Sequence, residues 1–211
     1  MAFTNYKNIK AIKDKFPKIK VISELFIPEN LPAYAVRTEL KNEMLFNLKT
    51  YRSNEFYAAE HLISPILREV WKPYCHEMNF WTHQAIRFDD DLCGVPDYMF
   101  TNLEDSQYEF LSYPLLATVE AKAENFEEGW GQCLAQMIAF REINQKPNMT
   151  VYGIVTTGKF WEIGKFANNI LTKHSISFAI SNLTELLTVL DYILQESKKQ
   201  LILFKPDSTK N

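Results

Sequence analysis

Three residues combine type and spacing in a way that could do chemistry: Asp97 in the stretch VPDYMF, and Glu120 and Lys122 in the stretch VEAKAE. Two carboxylates presented from neighbouring strands offer hard oxygen ligands to a divalent cation. Such a cation polarises a phosphodiester and lowers the pKa of a bound water. Residues two apart on a strand share a face, so the Lys122 ammonium would lie beside Glu120, placed to orient an attacking water or to offset charge developing in the transition state. The backbone carbonyl of Ala121 is a further candidate metal ligand. A Glu-x-Lys triplet also reads as an ordinary cross-face ion pair. The setting favours chemistry: Pro96-Asp97 follows a turn upstream, and the charged strand runs directly into a helix bearing Gln132 and Gln136.

The elements that must position these residues follow from periodicity. Over 115–123 the sequence alternates, with Leu116, Thr118, Glu120 and Lys122 on one face and Leu115, Ala117, Val119, Ala121 and Ala123 on the other. One face is apolar and one carries the charges. Upstream, 80–88 and 95–102 read as two strands of a hairpin joined by the acidic DDDLCG turn. Downstream, a helix over 127–145 carries the stripe Trp130, Cys133, Met137 and Phe140. It is followed by two strands, TVYGIVTT and FWEIGKF, around a Thr-Gly-Lys turn. A last strand near 175–180 precedes a closing helix capped by Ser181 or Asn182. Before the hairpin, a helix is expected over 38–51. A stronger one covers 53–71, with Phe56, Ala59, Ile63, Ile66 and Val70 on one stripe and Pro65 placed to kink it. The order predicts an α/β fold, a mixed β-sheet flanked by α-helices.

The residues resemble the PD-(D/E)XK nucleases of restriction-endonuclease-like fold, whose motif matches Pro96, Asp97 and then Glu120, Ala121 and Lys122. The resemblance extends over about 50–166 to the N-terminal nuclease part of type I restriction motor subunits. Glu55 and the run Ile63-Ser64-Pro65-Ile66-Leu67 match that family's entry helix, GWGQCLAQM its glutamine-bearing helix, and YGIVTTGKFWEIGKF its later strand pair. The resemblance implies that Asp97 and Glu120 are metal ligands for Mg2+ or Mn2+ and that Lys122 is the catalytic lysine. It makes Glu55 a further carboxylate at the metal, and turns Gln136, with Gln132, toward the substrate. Glu60 on the same helix is a rival to Glu55, and on spacing alone Glu55 also reads as a first-turn acid favoured by the helix dipole. The two glutamines equally read as amides satisfied at the edge of the core.

Composition bounds these readings. A chain of 211 residues, 46% hydrophobic, can bury a full core. Its net charge of -3 gives no global attraction to nucleic acid, so any phosphate-binding surface must be local. Lysines 7, 10, 13, 15, 18 and 20, ahead of the proline-punctuated ELFIPENLPAY, suggest a Lys-rich N-terminal appendage over 1–35. The nuclease-like domain would then occupy 36–205 and a short tail 206–211. That lysine run reads either as a phosphate contact or as the wet side of an amphipathic segment. The run Asp89, Asp90 and Asp91 reads as a solvated turn or as a second metal site. The segment from Gly153 nearly matches a phosphate loop, but Phe160 stands where the hydroxyl is needed, so a hairpin turn is expected. His61, His76, His83 and His174 are scattered and carry no ligand spacing.

The three cysteines have no paired spacing, and neither an apolar leader nor a long apolar run occurs, so a cytoplasmic protein with no membrane segment is expected. The expected activity is metal-dependent phosphodiester hydrolysis, with nucleic acid, DNA first, as partner, and a homodimer or accessory subunits to direct it. The alternatives are a non-catalytic module that keeps the fold to bind nucleic acid or protein, and a structural subunit whose triad is an ion-pair network.

Overall fold

The computed structural model describes residues 3–52, 54–104 and 108–204; the expected tail at 206–211 lies outside them. The chain opens with helix α1 (Ile9–Lys15) and strand β1 (Lys20–Glu24), followed by helix α2 (Thr38–Lys49). A continuous helix comes next, made of α3 (Glu55–Ala58), a π-turn (Ala59–Ile63) and α4 (Ser64–Trp71). Strands β2 (Met78–Thr82), β3 (Ile86–Arg87), β4 (Cys93–Gly94), β5 (Tyr98–Asn102) and β6 (Ser112–Ala121) lead into helix α5 (Phe126–Asn144). Strands β7 (Val151–Thr156), β8 (Phe160–Ala167), β9 (Ile170–His174) and β10 (Phe178–Ala179) precede the closing helix α6 (Leu183–Gln200).

Eight strands form one mixed sheet in the order β1-β9-β8-β7-β6-β5-β2, with β10 paired to β8. The β6–β7 pair is parallel, so the chain must cross from one end of the sheet to the other between them, and α5 makes that crossover. Helices cover both faces. Leu62, Leu67, Trp161 and Leu187 belong to the core beneath α4 and α6, and Ile12, Trp130, Phe140 and Phe166 to the core beneath α1 and α5. The expected α/β class, a mixed sheet flanked by helices, is what forms. Among the described residues no helix is long and apolar enough to cross a membrane.

Several local expectations change. β2 and β5 pair antiparallel, with Phe80 opposite Phe100, but the strand expected over 80–88 breaks at His83. Its remainder pairs with β4 as a separate two-stranded ribbon. The acidic run closes that ribbon: Asp89 Oδ1 accepts the N–H groups of Asp91 and Leu92, and Asp91 pairs with Lys15. In β6 the register to β5 slips by one residue at Leu116, so below this bulge the faces exchange. Leu116 joins the core that holds Ala117, and Leu115 the opposite one. The charged face of β6 is also covered rather than open, because α5 lies across it. Strand β9, not expected, follows a tight turn whose Asn168 and Asn169 both have positive φ.

The helix expected over 53–71 begins at Glu55 and contains a wide turn in which the Ser64 N–H reaches back to the Ala59 carbonyl. The extra residue rotates α3 relative to α4. Phe56 consequently leaves the expected stripe and is exposed, while Ala58 and Leu62 point into the core. Pro65 lacks the N–H that would bond the His61 carbonyl, and the buried Asn47 amide donates to that carbonyl instead at 2.7 Å.

Residues 3–35 of the expected appendage are woven into the fold. β1 pairs in parallel with β9 at the sheet edge, and Phe3, Tyr6, Ile12 and Ile19 are buried against α5 and the sheet. This covering explains why α5 is buried on every face from Gly129 to Phe140 and not along one stripe. Gly131 permits the contact: a Cβ there would stand 2.4 Å from the Tyr6 carbonyl oxygen and 2.6 Å from the Asn8 nitrogen.

Candidate active site

Asp97 immediately precedes β5, where the register (Tyr98 opposite Val119) sets it against Glu120. Its Oδ2 accepts the Ala121 N–H at 2.7 Å, which fixes the carboxylate across the strand gap. The N–H and C=O of a strand residue point the same way, so the Ala121 carbonyl also faces the Asp97 side, where β5 has not yet begun. Glu120 projects from the face of β6 that α5 covers and is 3% exposed. Its Oε1 lies 2.9 Å from Lys122 Nζ, and its Oε2 accepts a hydrogen bond from Gln136 Nε2 at 2.6 Å.

Lys122 continues the parallel ladder, its N–H donating to the Thr156 carbonyl at 2.9 Å. The first turn of α5 crosses its stem. A Cβ on Gly129 would fall 2.4 Å from Val155 Cγ1 and 3.3 Å from Lys122 Cγ, so glycine makes the room in which Lys122 lies. The far end of α5 is anchored by Asn144, which donates to the Leu115 carbonyl and accepts the Leu115 N–H. The helix is therefore pinned to β6 at two levels, and Gln136 is held over Glu120.

Glu55 reaches the same place from α3, its Oε2 accepting the Ala123 N–H at 3.2 Å just beyond β6. Its charge acts on both Asp97 and Lys122. Glu60 lines the same cleft but acts on Tyr98, so of the two rivals Glu55 is the one brought to the triad.

Both glutamines are engaged by protein partners. Gln136 is buried, accepting from Thr118 Oγ1 while it donates to Glu120, and Gln132 is buried and donates to Glu128, the partner of Lys7. Gln136 thus faces β6, and the N-terminal segment reaches the carboxylate that Gln132 bonds through Lys7.

Burial dominates the electrostatics. It raises the Asp97 carboxyl above its ordinary range against the Ala121 N–H, Lys122 and His83, and Glu55 adds to the rise. Burial and the charge of Asp97 push Glu120 up to about 7, although Lys122 and Gln136 favour its ionised form. For Lys122, burial works against the ammonium, but the charge and hydrogen bond of Glu120, with Glu55 and Asp97, outweigh it and raise its pKa. Carboxylates brought together at this cost are groups that a cation would satisfy.

His83 also belongs to this place, and nothing in the sequence pattern singled it out because it fell inside an expected strand. It has φ 51, donates its N–H to the Asp97 carbonyl at 3.0 Å, and holds Nδ1 3.9 Å from Asp97 Oδ1. Its only prior signal is that His, like Asn and Asp, is enriched among residues that adopt left-handed backbone. The near phosphate loop is a hairpin turn, as expected, in which Gly158 has φ 80 and donates to Thr156 Oγ1.

Asp97, Glu120, Glu55 and the Ala121 carbonyl offer hard oxygens, the donor type that Mg2+ and Mn2+ take. Among the described residues no three Asp, Glu, His or Cys side chains form a ready-made cage, and Mg2+ commonly takes only one or two carboxylates with water completing its shell. No protein-family model and no curated protein matches the chain.

Proposed function

We propose that the protein is a divalent-metal-dependent nuclease of PD-(D/E)XK type that hydrolyses phosphodiester bonds in DNA. The observation that carries this reading is the meeting of Asp97, Glu120 and Lys122 at one end of β5 and β6, with both carboxyls held above their ordinary pKa and the ammonium 2.9 Å from Glu120. Asp97 and Glu120, with the Ala121 carbonyl and Glu55, would hold Mg2+ or Mn2+. When bound, that ion supplies a water of lowered pKa and a Lewis acid at the phosphoryl oxygen. Lys122 orients the water and offsets charge at the phosphoryl group. Gln136 positions Glu120 without touching the substrate. The reading places the protein in the cytoplasm, in keeping with free thiols at Cys75, Cys93 and Cys133. Cutting both strands of a duplex would call for a homodimer or accessory subunits.

The test is cleavage of DNA by purified protein with added Mg2+ or Mn2+. Asp97→Asn, Glu120→Gln and Lys122→Ala are each expected to lower the rate at least about a hundredfold with the fold retained by circular dichroism. Three variants that all cut like the wild type would sink the assignment. One observation favours a second reading, a module that keeps the fold to bind nucleic acid or protein: Glu120 already has a partner on each oxygen. Calorimetric titration with Mn2+ separates the two, since the nuclease reading expects binding that Asp97→Ala weakens and the module expects none.

A further inference from the structure

Two exposed rings, Phe56 and His83, line the cleft in front of Asp97, and the core does not need Phe56. Phe56 is 76% exposed although it lies directly between Glu55 and Tyr57. Asn54 accepts its N–H at 2.8 Å, and Ala58, two residues on, is buried. His83 lies on the opposite wall with 61% of its side chain exposed, held in left-handed backbone by its bond to Asp97. A non-glycine residue kept in that conformation is a strained one that its surroundings maintain. The α3 wall thus presents Phe56 beside Glu55, and the strand wall presents His83 beside Asp97, across a cleft of about 350 Å3.

No lysine or arginine lines this cleft among the described residues. Side-chain affinity there must come from contacts other than a lysine or arginine on the phosphate. A slot of this volume, at the small end of ligand sites, admits a single nucleotide but not a double helix. In a duplex the base faces are stacked on one another, so exposed rings find a partner only where bases are unpaired.

We propose that the cleft receives an unpaired nucleotide, its base against Phe56 and His83 and its phosphate directed toward Asp97, so that single-stranded or frayed DNA is the substrate class. This rests on the nuclease reading for the role of the phosphate, whereas the stacking stands on the rings alone.

Fluorescence anisotropy of a labelled oligothymidine and of a duplex of equal length, measured in the Lys122→Ala background with Mg2+, reads binding without cleavage. KM for both substrates is measured in the wild-type background. Single strands are expected to bind at least about tenfold tighter than the duplex. Phe56→Ala, and His83→Asn, which keeps a residue tolerant of left-handed backbone, are each expected to weaken single-strand binding about tenfold, the size of one base–aromatic stack. Phe56→Ala should raise KM for single strands while kcat stays nearly unchanged, and Phe56→Trp should restore the affinity. Melting temperatures should be unaltered.

Equal affinity for duplex and single strand, or single-strand affinity that ignores Phe56→Ala in a folded protein, overturns the proposal. So does a dimer dissolved by Phe56→Ala, which would make the ring a contact between copies. If the wild type cuts nothing yet holds single strands through Phe56, the nuclease reading falls and the stacking stands. If it cuts duplex DNA and Phe56→Ala leaves KM unchanged, the reverse holds.

Discussion

A carboxyl such as Glu120, pushed up to about 7 from its ordinary 4.5, binds its proton more tightly folded than unfolded. Folding is therefore favoured below that range and penalised above it, so in chelator the protein is expected to lose stability as pH rises from about 4.5 to about 7. The loss is on the order of 3 kcal/mol. Asp97 is raised as well and adds the same slope. His174, lowered by burial, works in the opposite sense, gaining stability as pH rises toward its ordinary 6.5. The informative quantity is therefore the difference between wild type and Glu120→Gln in melting temperature from pH 5 to pH 8. The wild type should fall more steeply; parallel curves would mean that Glu120 is not strained by its burial. Asp97, Glu120 and Lys122 were legible in the sequence because strand alternation and a motif specify them. Gln136 was legible as a residue but not in its role, because α5 is buried on every face and no single stripe tells which side meets β6. His83 was hidden by a strand that breaks where no glycine or proline marks the break.

At the scale of elements, helix α5 depends on two glycines that serve opposite faces. Replacing glycine by alanine in an exposed helix gains about 1 kcal/mol. At Gly131 the added Cβ meets backbone rather than a movable side chain, so Gly131→Ala is expected to destabilise by about 2 kcal/mol. Chemical denaturation measures the sign, and a more stable variant would show that the N-terminal segment does not pack as described. The π-turn provides a second case. Asn47→Ala takes from the His61 carbonyl, already without the Pro65 N–H, its remaining donor, at an expected cost of about 1 kcal/mol in the same experiment. The π-turn was not legible in advance, because a period of 3.6 fits the residues on either side of it and only the sum of the two phases is wrong. Strand β9 was announced by Asn168-Asn169, a pair suited to a tight hairpin turn, which composition alone did not distinguish from a loop.

At the scale of the molecule, the N-terminal segment is the second layer over α5 and the edge of the sheet. Deleting residues 1–24 uncovers the surface that Ile12 and Phe3 bury and leaves β9 without a partner on one side. The truncated protein is expected to melt at least about 10 °C lower or to aggregate, read by differential scanning fluorimetry and light scattering. Melting within about 2 °C of the full chain would restore the picture of a dispensable appendage. The overall class was legible because the order of elements constrains it. The layer was not, since the six lysines mark where the segment meets water and say nothing of what Ile12 and Ile19 cover.

The pairing of Lys20 with Ile170 also sets an order of events on the ribosome. The strands that carry Asp97, Glu120 and Lys122, and the helix that covers them, are complete once Thr156 has emerged, whereas the first strand made must wait for one of the last. A nascent chain halted between those points would carry an assembled acidic site beside an unfilled sheet edge. The strand that finishes it is already synthesised and tethered, but has nowhere to dock.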